Sequence, residues 1–226
     1  MPRSIIVSDM DGTLSTAETW RGVHAWILAN HPSPAARRFL PLRLPLVALV
    51  RLGLRDREAF RARWQHDHAR LLRGVPVAEL DEMGEWIVES LLWPSRRQAA
   101  VDALTAAVHE ARAADPRTEV ILATGAYEPI GRAFASRIGA DVTLATPLDV
   151  RDGVATGGLA KPVQSGVEKA DSVRTLAAGG EILVAFGDTS ADVPLLALAR
   201  RSIAVAPDPA LRRVAEQRGW DILESA

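Results

Sequence analysis

Five short runs of Val, Ile and Leu recur along this chain, and most of them end on a polar side chain. They are SIIVSD (4–9), EVILAT (119–124), DVTLAT (141–146), EILVAFGD (181–188) and SIAVAP (202–207). Helix-like stretches at 95–114, 129–138, 165–178 and 208–218 lie between or after them. Strands this continuously apolar are covered on both faces, so the pattern predicts an α/β fold built on a parallel sheet. Its crossovers are expected to be right-handed. Residues 16–94 break the rhythm. They hold no convincing strand and carry five of the six Trp, or four if Trp93 marks the boundary. This predicts a helical insert after the first strand, punctuated by prolines at 32–34 and 41–45. Asp152-Gly153, inside VRDGVATGG, signals a two-residue hairpin.

Composition narrows the function classes. The formal net charge is -1, which removes a whole-protein argument for nucleic-acid binding. There is no Cys, so disulfides and thiolate metal sites are excluded. The N-terminal apolar run is too short for a secretory signal. The apolar stretch 40–54 contains Arg43, Arg51, Pro41 and Pro45 and falls short of the ~20 residues that span a bilayer. The expectation is a cytoplasmic protein, peripheral to a membrane at most.

In an open parallel sheet, ligands bind beyond the carboxyl ends of the strands. The residues there are Asp9, Asp11 and Thr13, then Thr124 and Gly125, then Asp188 and Asp192. Clustered carboxylates repel unless a cation neutralises them, and hard oxygen donors suit Mg²⁺. The chain holds 25 Arg but only two Lys, one of which is Lys169. A compact ammonium there would do what a guanidinium fork cannot. In DMDGT (9–13), Gly12 permits a turn that brings two acids together. One can attack phosphorus while the other serves as acid and then base. Each residue also has an ordinary reading: D-x-D-G-T as a surface turn, Lys169 as a solvated helix residue, Asp192 as a first-turn acid. The five His show no metal-site spacing, and His66 and His68 do not share a helical face.

DMDGT, the Thr124 strand end, Lys169 and GDTSADVPLL (187–196) together resemble the four motifs of the haloacid dehalogenase (HAD) superfamily. The chain is similar over nearly its whole length to the phosphoserine-phosphatase-like subfamily. That resemblance implies a Rossmann-like three-layer core from 1–15 and 95–226, with 16–94 as an inserted C1 helical cap. It implies Asp9 as nucleophile, Asp11 as general acid and base, and Thr124 and Lys169 on the phosphoryl group. Mg²⁺ would sit on Asp9, Asp188 and the Asp11 backbone carbonyl, with Asp192 orienting Lys169 or a metal-bound water. Backbone N–H groups near Gly12 and Gly125 would hold phosphate oxygens. The implied activity is hydrolysis of a small organic phosphate, phosphoserine-like or another amino-alcohol or lipid-like phosphate, through an aspartyl phosphate. A phosphotransferase on the same core and a non-catalytic protein of the same fold are the rivals. A dehalogenase is disfavoured, because Asp11 is present.

Substrate choice falls to the insert. Glu18 matches the position of a glutamate that contacts the substrate amine in phosphoserine phosphatases, and reads equally well as an exposed acid opening a helix. His68 stands where that family places an arginine for the substrate carboxylate, with Arg63 or Arg70 as candidate substitutes. Residues 21–73 carry 11 Arg against three acids. Arg43, Arg51 and Arg55 form a stripe beside apolar residues. That reads first as packing with snorkelling arginines, and otherwise as a basic edge of 40–55 for a lipid-like substrate or an anionic membrane. Oligomeric state is not legible.

Overall fold

A computed structural model describes residues 3–51 and 57–224. β1 (Ser4–Ser8) is followed by four helices: α1 (Thr19–Asn30), α2 (Pro34–Arg51), α3 (Arg57–Ala69) and α4 (Val77–Ile87). A π-helical turn at Val88–Leu92 leads to α5 (Gln98–Ala114), β2 (Glu119–Tyr127), α6 (Glu128–Ile138) and β3 (Val142–Thr146). A hairpin of β4 (Leu148–Arg151) and β5 (Val154–Leu159) precedes α7 (Gly166–Ala177) and β6 (Glu181–Gly187). A short α8 (Val193–Leu196), β7 (Arg201–Val205), α9 (Pro209–Arg218) and β8 (Asp221–Leu223) complete the described chain.

Six strands form one parallel sheet in the order β3-β2-β1-β6-β7-β8. Alternation along β1 shows how both faces are covered. Ile6 packs into a cluster with Leu104, Phe134 and Phe186. Ile5 and Val7 pack into another with Val173, Leu195 and Leu211. The architecture is the Rossmann-like parallel sheet flanked by helices that the strand pattern predicts. Local signals place the boundaries. The Asp208 carboxylate caps α9 by accepting from the backbone N–H of Ala210 (3.0 Å) and Leu211 (2.7 Å). Gly219, at φ 66°, ends that helix. Asp152 (φ 50°) and Gly153 (φ 78°) make the predicted turn between β4 and β5.

Three details depart from expectation. β2 runs three residues beyond Thr124, to Tyr127, through an irregularity in its pairing with β3. The helix α2 passes through Pro41 and Pro45 instead of stopping at them. Each proline removes one intrahelical hydrogen bond. The carbonyls left over belong to Arg37 and Pro41, both exposed, so water can take them up. Arg43 also leaves the anticipated basic edge. It turns inward, pairs with Asp67 at 2.8 Å and lies over the Phe39 ring at 4.0 Å. Arg55 and the Arg51 side chain lie outside the described residues.

Candidate active site

β1 sits between β2 and β6, where the chain's direction of winding reverses. A crevice opens at such a point beyond the strand ends. Asp9 follows β1 and Asp188 follows β6, so neighbouring strands deliver the two carboxylates. The Asp9 N–H still donates to the Phe186 carbonyl (3.1 Å), which holds the loop to the sheet. The chain then turns tightly, with Leu14 and Ser15 N–H both donating to the Met10 carbonyl. Gly12 takes φ 86°, and a Cβ there would overlap the Asp188 carboxylate. Glycine is needed at this position for both conformation and space.

Lys169, on the first turns of α7, reaches in to join two acids. Its Nζ donates to Asp9 Oδ1 at 2.6 Å and to Asp192 Oδ1 at 2.8 Å. All three residues are buried. The other Asp192 oxygen accepts from the Thr189 N–H and hydroxyl, at 3.2 and 3.1 Å. Thr13 Oγ1 lies 3.1 Å from both Asp9 Oδ2 and Asp188 Oδ1. Its single proton serves one of them at a time.

Charge is unevenly compensated here. Burial opposes the charged form of Lys169, but Asp192 and Asp9 outweigh it and hold the ammonium above its ordinary range. Burial also pushes Asp192 up, yet Lys169 and the Thr189 donors bring it below the usual carboxylate value. Asp9 is raised by burial, with Lys169 pulling the other way. Asp188 is pushed up to about 8, first by burial and then by the negative charges of Asp9 and Asp192. Ligand oxygens of Asp9, Asp188 and Asp192 fall within 4.8 Å of one another. An oxygen cluster with one under-compensated carboxylate fits a hard divalent cation. Asp192 is held by its own donors on both oxygens, whereas Asp9 and Asp188 share the single proton of Thr13, so these two keep oxygen capacity for an ion.

Asp11 points its Oδ1 at the start of α1, accepting from the Thr19 hydroxyl and from the Thr19 N–H at 3.3 Å. Thr124 is fully buried and does not line the crevice; its Oγ1 accepts from the Ala126 N–H at 3.1 Å. Gly125 does line it, and its carbonyl accepts from Thr146 Oγ1 (2.9 Å) and Gln65 Nε2 (2.7 Å). Tyr127 Oη donates to the Gln65 carbonyl at 2.7 Å. These bonds tie α3 of the insert to the end of β2.

The crevice and the space between the strand ends and the helices α1 and α3 form one cavity of about 550 Å³. Glu18 and His68 line it; Arg63 and Arg70 do not. Glu18 precedes the first residue of α1 and pairs with Arg21 at 2.7 Å. Arg70 is exposed and pairs with Asp67 at 2.6 Å, and Arg63 is exposed. His68 is buried against Phe39, which stacks on it with ring centroids 4.9 Å apart. Burial, helped by His24 and Arg43, lowers it to about 3, so it is neutral. Thr19, Gln65 and Tyr127 escaped the sequence reading. Nothing in their spacing marks them, because their partners arrive from distant elements.

A sequence profile of the haloacid dehalogenase-like hydrolases matches residues 6–197. The chain belongs to that family. Among relatives of this HAD-like chain is the phosphoserine phosphatase SerB1 of Mycobacterium tuberculosis, 31% identical over 67% of the chain and 48% of the relative. A Streptomyces azureus protein named for inhibition of morphological differentiation is 33% identical over 68% of the chain and 55% of its own length. The chain thus spans about half the length of these curated relatives. Its fold superposes on a Bordetella pertussis protein of unknown function with TM-score 0.79, covering all of both chains at 24% identity. It also superposes on a probable phosphoserine phosphatase of Vibrio cholerae with TM-score 0.64, covering 62% of that chain at 22% identity. No described helix is long and apolar enough to cross a membrane.

Proposed function

We propose that this HAD-like chain is a Mg²⁺-dependent phosphomonoester hydrolase in which Asp9 is the nucleophile. One observation carries the reading: Lys169 bridges Asp9 and Asp192 in a buried cluster, while Asp188 stands beside Asp9 at the tip of the adjacent strand. Phosphoryl transfer needs in-line positioning and positive charge around the equatorial oxygens, more than it needs covalent chemistry from many groups.

An Asp9 oxygen attacks phosphorus as the bond to the leaving oxygen breaks. Asp11 gives that oxygen a proton, so the alcohol departs neutral. The Asp11 carboxylate then takes a proton from water, whose oxygen attacks phosphorus and breaks the bond to Asp9. Inorganic phosphate leaves, and both acids return to their starting states. Thr19 orients Asp11 throughout. Lys169 neutralises charge on Asp9 and the phosphoryl group, and Asp192 holds Lys169 in line. Thr124 lies behind the crevice, and its hydroxyl accepts from the Ala126 N–H, which shapes the Gly125–Ala126 segment that lines the space for the phosphoryl group. Asp9, Asp188 and the Asp11 backbone carbonyl would hold Mg²⁺, which supplies further positive charge on the phosphoryl oxygens. Residues 16–94 act as the cap that selects the leaving group.

The test is turnover of p-nitrophenyl phosphate with Mg²⁺. Asp9→Asn abolishes it, and EDTA does so reversibly. A wild-type rate in Asp9→Asn overturns the assignment.

A further inference from the structure

Asp208 does not line the cavity, yet it grips the segment that carries two of the site acids. β7 lies beside β6, so the loop after β7 runs against the loop after β6. The Asp208 N–H donates to the Asp188 carbonyl at 2.9 Å. Its Oδ2 accepts from the Ser190 N–H at 3.3 Å. Its Oδ1 meanwhile caps α9 through the N–H groups of Ala210 and Leu211. One side chain and its own backbone thus bind 188–190 at two points and tie it to a helix. Within the same segment Thr189 holds Asp192, the acid that serves Lys169.

The anchor is stiff. Pro207 and Pro209 flank Asp208, and each ring fixes its own φ. Val205 and Pro207 are buried. Ala206 takes φ 40°, in the left-handed region. Of the other described non-glycine residues with positive φ, Asp152 turns the hairpin and Ala178 ends α7. Ala206 does neither; its N–H is held by the Leu223 carbonyl at 2.7 Å. Strain of this kind persists where the surroundings over-determine the backbone, and it clusters at functional sites. A carboxylate that must meet a cation depends for its position on the groups behind it.

Taking the Mg²⁺ site of the phosphatase reading as its basis, we propose that Asp208 is a positioning residue. It fixes 188–190 so that the Asp188 carboxylate is set for a divalent cation beside Asp9. It touches neither the cation nor the substrate, and acts through the backbone of Asp188 and Ser190.

Two variants separate this role from helix capping. Asn, Ser and Asp are comparable at a helix start. In Asp208→Asn the amide oxygen keeps the two α9 donors, which turns Nδ2 toward the Ser190 N–H, and two donors cannot pair. In Asp208→Ser a single oxygen remains, for the helix. Each variant keeps the cap and loses the grip on Ser190. The half-saturating Mg²⁺ concentration should rise about tenfold in both, the low end of the usual loss when a group behind a metal ligand is removed. It is read twice, from turnover of p-nitrophenyl phosphate and from the Mg²⁺-dependent rise in melting temperature. The titrations are run at about 1 M NaCl, where a screening length of about 3 Å keeps a lost surface charge from mimicking the effect. In EDTA both variants should melt within about 4 °C of wild type, a minor stability change for a chain this long. A rise in half-saturating Mg²⁺ below about threefold in either variant overturns the proposal. So does a larger drop in EDTA melting temperature, because Asp208 would then hold the fold and not the acid. A wild-type chain with no Mg²⁺-dependent rise would sink the cation site of the phosphatase reading, and this inference with it. A wild-type rise that both variants keep at the same Mg²⁺ concentration sinks this inference alone.

Discussion

Lys169 Nζ and Asp9 Oδ1 lie 2.6 Å apart although 160 positions separate them, and neither side chain is more than 7% exposed. A buried pair this close is sensitive to loss of one partner, since the other charge is left uncompensated. Lys169→Ala should lower kcat for p-nitrophenyl phosphate by roughly 10²–10³-fold, the usual scale for removing a group that meets developing charge. Lys169→Arg should not rescue it, because a planar fork cannot replace a point charge between two carboxylates. Steady-state kinetics checks both, with circular dichroism to confirm folding.

Asp9→Asn should separate activity from stability. Burial raises Asp9, so its charged form is disfavoured in the folded state and subtracts from stability above its ordinary value of 3.8. Removing that charge leaves Lys169 with Asp192. The variant should lose turnover yet melt no lower than wild type in EDTA, as read by differential scanning calorimetry. A large drop in melting temperature would contradict the reading of crowded carboxylates.

Mg²⁺ should raise the melting temperature of the wild-type chain, since a ligand that binds only the folded state stabilises it by mass action. Asp188→Asn removes one of the two carboxylates with capacity for the ion, and the increment should largely vanish. A titration of melting temperature against Mg²⁺ concentration measures both.

Tyr127→Phe tests the tie between α3 and the end of β2. Burial pushes the tyrosine hydroxyl up, so it remains a donor to the Gln65 carbonyl. Its loss should cost about 0.5–1.5 kcal/mol of stability. It should also raise KM more than it lowers kcat, because the bond positions the cavity wall and touches no reacting atom. Denaturant melts and Michaelis kinetics give the two readouts.

Acid should unfold the chain through His68. Its value falls from 6.5 to about 3 on folding, so the unfolded state takes up a proton first as pH drops. The stability from keeping it neutral is complete above pH 6.5 and is lost progressively between 6.5 and 3. Roughly 5 kcal/mol is at stake across that window. Urea melts at stepped pH should show the loss, and His68→Leu should flatten the slope between pH 6 and 4.

The sequence by itself determined the sheet, because strands buried on both faces need unbroken apolar runs, and those runs are visible at 4–9, 119–124 and 181–188. It determined which acids follow the strands, since Asp9 and Asp188 are read directly off the strand ends, and Gly12 between them announces a turn. The Asp152-Gly153 hairpin was legible because positive φ restricts residue choice. Tertiary structure decided the rest. That Lys169 serves Asp9 and Asp192 together depends on α7 crossing the sheet to a particular place. That Arg43 turns inward, and that Arg63 and Arg70 stay outside the cavity, depends on how α2 and α3 are rotated, which a helical periodicity shared by core and surface arginines does not encode. The ties of Asp11 to Thr19 and of Gln65 to Gly125 and Tyr127 are made between elements that meet only in the folded chain. A hydrogen bond has a length of about 3 Å and no sequence period, so only the assembled fold could reveal them.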